Sequence, residues 1–162
     1  MAKVIAVCGK ICCGKSYYSK QIKEREKAVI LSCDEVTDVL FDNNLGDKHD
    51  EISKRVKKYL LQKTEDILQA ETNVILDWGF WSKVDRKHIR DYFVSKGIEF
   101  EMHYINIDQE SWLKNIQERN QRVLSGNGGS DYFLDDGLMN KLLLLWEEPN
   151  KEEIDVWFDL KR

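Results

Sequence analysis

Proline occurs once in these 162 residues, which excludes Pro-rich linkers and extended polyproline segments. No apolar run approaches the roughly 20 residues that a membrane-crossing helix needs, and the longest candidate, residues 142–146, falls far short of that. Positive charge is not in excess. Lys and Arg number 25 against 29 Asp and Glu, for a net charge of -4. Such a balance does not advertise nucleic-acid or anionic-membrane binding, although a local basic patch is compatible with it. Histidine is scarce, and His49, His88 and His103 have no spacing that indicates catalysis or metal, so all three read as structural or surface residues. The four cysteines, Cys8, Cys12, Cys13 and Cys33, all lie in the first fifth of the chain. A secreted disulfide framework would spread them across the fold. Adjacent Cys12 and Cys13, with no histidine near them in sequence, make an awkward zinc pair. Reduced thiols are the expectation, with Cys8 a small core residue of a strand.

What is present suits a globular chain with a real core: 42% hydrophobic and 33% charged residues, at a length that predicts one domain. Near the start, Lys3 precedes a short apolar stretch that runs into a glycine loop and then a basic helix. That order reads as a strand rather than a signal peptide. With neither a leader nor a membrane span in evidence, the expected location is cytoplasmic.

Along the chain, residues 3–8 are nearly continuous apolar residues, as in a strand buried on both faces. Residues 9–14 form a loop, 15–27 a helix, and 28–31 a second apolar run. Residues 34–41 predict a helix capped near Ser32 or Asp34, and 42–47 a turn. A helical period follows over 50–71, interrupted at Lys63. Residues 73–76 predict a third strand, 83–96 a helix stopped by Gly97, 100–107 a fourth strand, and 109–124 a helix. Residues 125–130, Ser-Gly-Asn-Gly-Gly-Ser, are the one plainly flexible segment. A helix over 138–146 precedes Pro149, and 156–160 can form a last strand. Strands alternating with helices predict an α/β fold with a parallel sheet and helices on both faces.

The most specific signal is Gly9-Lys10-Ile11-Cys12-Cys13-Gly14-Lys15-Ser16, which satisfies G-x-x-x-x-G-K-[ST] at every fixed position. Such a loop wraps a phosphate so closely that its backbone N–H groups must point inward, and its glycines permit that approach. The helix that follows turns its N-terminal N–H groups and dipole toward the anion. Lys15 brings a full positive charge to the β- and γ-phosphates, and the Ser16 hydroxyl is placed for Mg²⁺. An apolar strand before the loop and a helix after it supply the context the motif requires.

Three further elements follow in order. Asp77 ends the apolar run Val74-Ile75-Leu76, where a carboxylate can hold Mg²⁺ through water; a turn or helix-cap aspartate is the other reading. Asp34 lies just past the second strand, at the sheet edge where open α/β folds bind ligands. There it could take the proton of an acceptor hydroxyl, with Glu35 and Asp38 as weaker alternatives and a helix cap as the competing reading. Arg119 and Arg122 sit three apart on one helix face. Guanidinium groups there could clamp phosphate oxygens or stack on adenine, or could simply be a solvated basic face. Gly126, Gly128 and Gly129 would let a lid around residues 119–137 move.

Taken in this order, the four elements resemble the P-loop kinases of the nucleoside-monophosphate-kinase-like group, the AAA_33 type among them. The likeness is greatest to small kinases related to polynucleotide 5′-hydroxyl kinase, zeta toxin and chloramphenicol phosphotransferase. It covers most of the chain. It implies a three-layer P-loop NTPase fold with a five-stranded parallel sheet of order 2-3-1-4-5. It also implies ATP and Mg²⁺ as ligands and transfer to a small-molecule hydroxyl, with a nucleic-acid acceptor less favoured. Under the resemblance, residues 9–16 are the Walker A loop and Val74-Ile75-Leu76-Asp77 the Walker B strand. Asp34 is the acceptor-activating aspartate, and Arg119 and Arg122 are lid arginines. The tail Trp146-Glu147-Glu148-Pro149 with Lys151-Glu152-Glu153 resembles the E-x-P…E-E ending of the group. The loop interior Lys10-Ile11-Cys12-Cys13 is bulkier than the glycine- and serine-rich version often seen.

Guanine-selective N-K-x-D is absent, since Leu142 and Leu143 follow Asn140-Lys141, and this leans toward ATP. Trp78, Phe80 and Trp81 could line an acceptor pocket or pack a strand–helix junction. Cys12 and Cys13, on a helix N-terminal loop, could have lowered thiol pKa values and be open to oxidation. The competing function is an ATP-binding or ATP-hydrolysing switch that acts on a protein partner.

Overall fold

The computed structural model describes residues 1–42, 44–129 and 131–162. Asn43 of the expected 42–47 turn and Ser130 of the glycine-rich segment lie outside the described residues.

Five strands form one parallel sheet: β1 (Lys3–Cys8), β2 (Ala28–Leu31), β3 (Asn73–Gly79), β4 (Glu99–Ile107) and β5 (Val156–Leu160). Their spatial order is β2-β3-β1-β4-β5, the P-loop NTPase order. The central strand β1 reads as an unbroken apolar run because both of its faces are covered, and Val4 through Cys8 have no solvent exposure. Alternate residues then serve opposite layers. Ile5, Val7, Ile75 and Ile105 pack under α1 (Lys15–Glu26), α5 (Gln109–Leu124) and α6 (Asp136–Leu145), against Tyr18, Ile22, Trp112, Ile116 and Met139. Val4, Ala6, Cys8, Val74, Leu76 and Met102 face the other way. They meet Ile89 and Phe93 of α4 (Lys83–Val94) and Leu61, Ile67 and Leu68 of α3 (His49–Gln69). Burying each such aliphatic side chain is worth about 1.5–3 kcal/mol, so the two layers together fix the sheet.

A smaller cluster, Cys33, Val56 and Leu60, with Leu31, Val36, Ile52 and Trp78 against it, joins α2 (Cys33–Phe41) to α3. Ser32 caps α2 by accepting the amide of Glu35. On α3 the buried position near the expected break is Thr64 rather than Lys63. Its hydroxyl donates to the Leu60 carbonyl at 2.8 Å, which is how a polar residue is tolerated at full burial. β3 runs three residues beyond the predicted end, so Asp77 lies within the strand rather than after it. Gly97 follows α4 at φ 71°, the left-handed conformation expected of a helix stop. Among the described residues, no helix is long and apolar enough to cross a membrane.

Candidate active site

The phosphate loop leaves β1 at the carboxyl edge of the sheet and enters α1 at Lys15. Its carbonyls are taken by the protein. Gly9 O accepts the Trp81 indole N–H at 3.1 Å, Ile11 O the Trp112 indole at 2.7 Å, and Cys12 O the Asn115 amide at 2.9 Å. Lys10 O accepts both the Cys13 amide and the Lys15 ammonium, at 3.2 and 3.3 Å, and Gly14 O accepts the Tyr18 amide. By contrast, the amides of Gly14 and Ser16 find no acceptor among the described residues. A loop whose carbonyls are taken by the protein while two of its amides stay unspent presents donors to an anion.

The two glycines have separate reasons. Gly14 adopts φ 96°, which strains any L side chain. At Gly9 the constraint is space, since a Cβ would lie 2.3 Å from Cys13 Sγ and 3.3 Å from Lys15 Cγ. Lys10 lies over the Trp112 ring at 4.0 Å, which steadies the bulky interior of the loop.

Ser16 and Asp77, 61 positions apart, are brought together: the Ser16 hydroxyl donates to Asp77 Oδ2 at 3.1 Å. Burial raises the Asp77 carboxyl above its ordinary range, and the charge of Asp34 adds to the rise. Lys15 and the Ser16 hydrogen bond oppose it. A hydroxyl and a carboxylate side by side are hard oxygen donors, the kind magnesium takes. Asp34 is exposed in the first turn of α2, near enough for its charge to be felt at Asp77. Its backbone carbonyl accepts the Thr37 hydroxyl at 3.1 Å. Glu35 is likewise exposed in that first turn, and Asp38 is half-buried further along α2.

Of the two arginines, Arg119 reaches the loop. Its Nη1 is 3.7 Å from Cys12 Sγ, its guanidinium stacks on Tyr132 at 4.7 Å, and Nη2 pairs with Asp131 at 3.6 Å. Arg122 shares Asp131 at 3.8 Å but lines a separate depression with Glu118, Gln121 and Ser125. The segment after the glycines is laced to α5 by two bonds between Asn120 and the Leu134 backbone, at 2.7 and 2.9 Å.

The aromatic residues after Asp77 are occupied structurally. Trp78 donates to Leu31 O at 3.0 Å and stacks on buried Phe80, while Trp81 spends its indole on Gly9. The thiol expectation fails at Cys13, which is fully buried and whose pKa is pushed up by that burial, not lowered by the helix. The four cysteines are free, and among the described residues no cluster of metal-ligating side chains forms. His103 is a buried structural residue between Tyr18 and Glu101, whereas His49 and His88 are exposed. The braces Trp112 and Asn115 had one legible signal: with Arg119 they recur at i, i+3 and i+7, one face of α5.

A family profile described as "AAA domain" (AAA_33) matches residues 4–127. Among solved structures, Chaetomium thermophilum Kti12 in complex with ADP-AlF3 is similar at 18% identity and TM-score 0.66, covering 97% of this chain and 88% of its own. A sugar kinase from Janibacter sp. HTCC2649 is similar at 12% identity and TM-score 0.65, covering 98% and 86%. The Mycobacterium tuberculosis APS kinase CysC, in complex with AMPPNP and APS, is similar at 14% identity and TM-score 0.63, covering 99% and 90%. At these identities the likeness is one of fold. No curated protein matches the chain.

Proposed function

This chain belongs to the AAA domain family, and from that premise we propose that it is an ATP-dependent phosphotransferase that moves the γ-phosphate of ATP to a hydroxyl of a small molecule. The observation that carries the reading is the pairing of Ser16 with Asp77 beside Lys15, with a second carboxylate, Asp34, within electrostatic reach and open to solvent. One carboxylate is engaged by the loop and the other is left over, which suits an acceptor-side base. The loop amides and Lys15 hold the phosphates. Asp34 takes the proton of the acceptor hydroxyl as its oxygen bonds to the γ-phosphorus, and the bond from that phosphorus to the ADP oxygen breaks. Arg119, which reaches the loop, stabilises the charge on the transferring group, and Arg122 supports it through the shared Asp131. Ser16 and Asp77 would hold magnesium, which would supply neutralisation of phosphate charge. The adenine nucleotides in the Kti12 and APS kinase structures support ATP as donor.

In this reading the chain is a single domain with a lid around residues 119–137, and its four free thiols suit the reducing cytoplasm. A metabolite-library screen for ATP-dependent phosphorylation tests it, with Lys15→Ala as the blank. Phosphorylated product that persists in the blank would remove the site assignment.

A specific observation favours a second reading, an ATP-driven switch acting on a protein partner. The end of α2 exposes Val39, Leu40 and Phe41, and α3, which packs on α2, exposes Tyr59. A nucleic-acid acceptor would need a basic track to Asp34. Lys54, Arg55, Lys57 and Lys58 of α3 make no ion pair among the described residues, and the Lys57 charge reaches Cys33. Nucleic-acid 5′ ends therefore belong in the same screen.

A further inference from the structure

We propose that Arg86 of α4, together with Glu153 of the C-terminal segment, is a positioning residue for the phosphate loop: it holds residues 79–81 against Gly9. This rests on the nucleotide-binding reading above. The first glycine of the loop is gripped by two bonds from the end of β3 and the turn after it, Gly9 N–H to Gly79 O at 3.0 Å and the Trp81 indole to Gly9 O at 3.1 Å. A third contact, the Cys8 thiol to Phe80 O at 3.6 Å, holds the residue before it. Burial pushes the Cys8 pKa up to about 12, so its thiol stays a proton donor at neutral pH.

The gripping turn is itself strained. Phe80 sits at φ 49°, a left-handed conformation that persists in a bulky residue only when its surroundings over-determine it. Those surroundings are Arg86 and the tail. Arg86 is 2% exposed, and its Nη1 donates to Phe80 O at 3.0 Å and Trp81 O at 3.2 Å. Its Nε donates to Glu153 Oε1 at 3.0 Å, while Glu153 Oε2 accepts the Asn150 amide at 2.8 Å and closes a capping box. The Glu147 amide also donates to Trp81 O, at 2.9 Å. The guanidinium lies 5.8 Å from the Trp146 ring, and its Nη2 has no hydrogen-bond partner among the described residues.

A buried arginine with an unspent donor is a poor way to gain stability, because a buried ion pair can be replaced by apolar side chains at little cost. What the arginine does that an apolar residue cannot is point two N–H bonds at consecutive carbonyls of a strained turn. Residues 147–153 lie beyond the stretch matched by the family profile, yet they close the chain of bonds that ends at Gly9.

The test uses the full chain. The amide resonance of Gly9 and the indole resonance of Trp81 are followed by NMR, and Mg·ADP affinity by calorimetry, in Glu153→Gln and Arg86→Lys. Arg90→Gln is the control. It cuts the 2.7 Å pair with Asp155 and the 2.8 Å bond to Glu153 O, loosening the same tail without touching residues 80–81. Both test variants should shift the two resonances and weaken Mg·ADP by roughly 10–100-fold, the usual effect of losing an outer-shell support. Arg90→Gln, at a similar loss of melting temperature, should do neither. Resonances unmoved in folded Glu153→Gln, or an equal affinity loss in Arg90→Gln, overturns the proposal. Should the wild-type chain bind no Mg·ADP, the nucleotide reading falls, and the positioning claim is decided on the two resonances alone.

Discussion

On the function proposed above, the sheet edge has a phosphate side and an acceptor side, and the two are built to different standards. On the phosphate side the loop carbonyls from Gly9 to Cys12 are all spoken for, by Trp81, Lys15, Trp112 and Asn115, and Ser16 is bonded to Asp77. On the acceptor side Asp34 is exposed and α2 ends with Val39, Leu40 and Phe41 facing solvent. Each phosphate group is one fixed tetrahedral shape, so its cradle can be assembled rigidly in advance. An acceptor region with exposed apolar residues and a solvent-facing carboxylate is one still to be completed, by substrate or by a partner.

The comparison breaks most sharply through catalysis. Lys15→Ala should lower transfer by at least about 10²–10³-fold, because a charge aimed at the phosphates is lost. Asp34→Asn should lower kcat by about 10²–10⁴-fold, the range for a general base, while ATP affinity stays put. Both are read by steady-state kinetics on whichever acceptor the screen returns, with ATP affinity measured separately. Retained turnover in Asp34→Asn would leave the acceptor side without a base and favour the switch.

A smaller effect tests rigidity. Gly9→Ala would place a Cβ 2.3 Å from Cys13 Sγ, so the loop must shift. The expected cost is about 1–3 kcal/mol of stability, with loss of Mg·ATP binding. Gly46, in the turn before α3, meets nothing within 4 Å but has φ 51°. Gly46→Ala should therefore cost only about 1 kcal/mol, from backbone strain, and leave nucleotide binding intact. Chemical denaturation and calorimetry on the two variants decide it. Equal losses in both assays would mean the phosphate side is no more tightly built than the other.

The same contrast governs what the sequence could say. The phosphate loop was legible because its eight residues are contiguous and each has a local reason. The strands were legible because burial on both faces writes an unbroken apolar run, as at residues 4–8. Sheet order is a different matter: alternation implied a parallel sheet, while 2-3-1-4-5 came with the family resemblance. Trp112 and Asn115 serve loop carbonyls from more than 100 positions away, and nothing local marks an indole that will donate to Ile11 as well as fill the core. Trp81 was open to two readings for the same reason, since an aromatic residue after a strand suits pocket and junction alike. Cys13 misled because a helix N-terminus lowers a thiol pKa only where water can reach it, and full burial reverses the sign.

The finest distinction concerns Asp77, where the two sides meet. Burial, with Asp34 adding, lifts its carboxyl above the usual range against the pull of Lys15 and Ser16. The folded chain therefore holds that proton more tightly than the unfolded chain does. Its contribution to stability is greatest below the unfolded carboxylate range and is lost as pH rises through the raised folded value. Asp77→Asn removes that titration. At pH 7 the variant should melt above the wild type, by about 2–4 °C for each kcal/mol relieved, and the gap should close on acidification as the wild-type carboxyl takes up its proton. The same variant should lose the magnesium-dependent part of ATP affinity, because the carboxylate is gone. Thermal melts across pH, paired with ATP titrations with and without magnesium, separate the two effects. An Asn variant that melts below the wild type at pH 7 would show that the Lys15 and Ser16 contacts outweigh burial, and that the phosphate side is stabilised by its charges rather than strained by them.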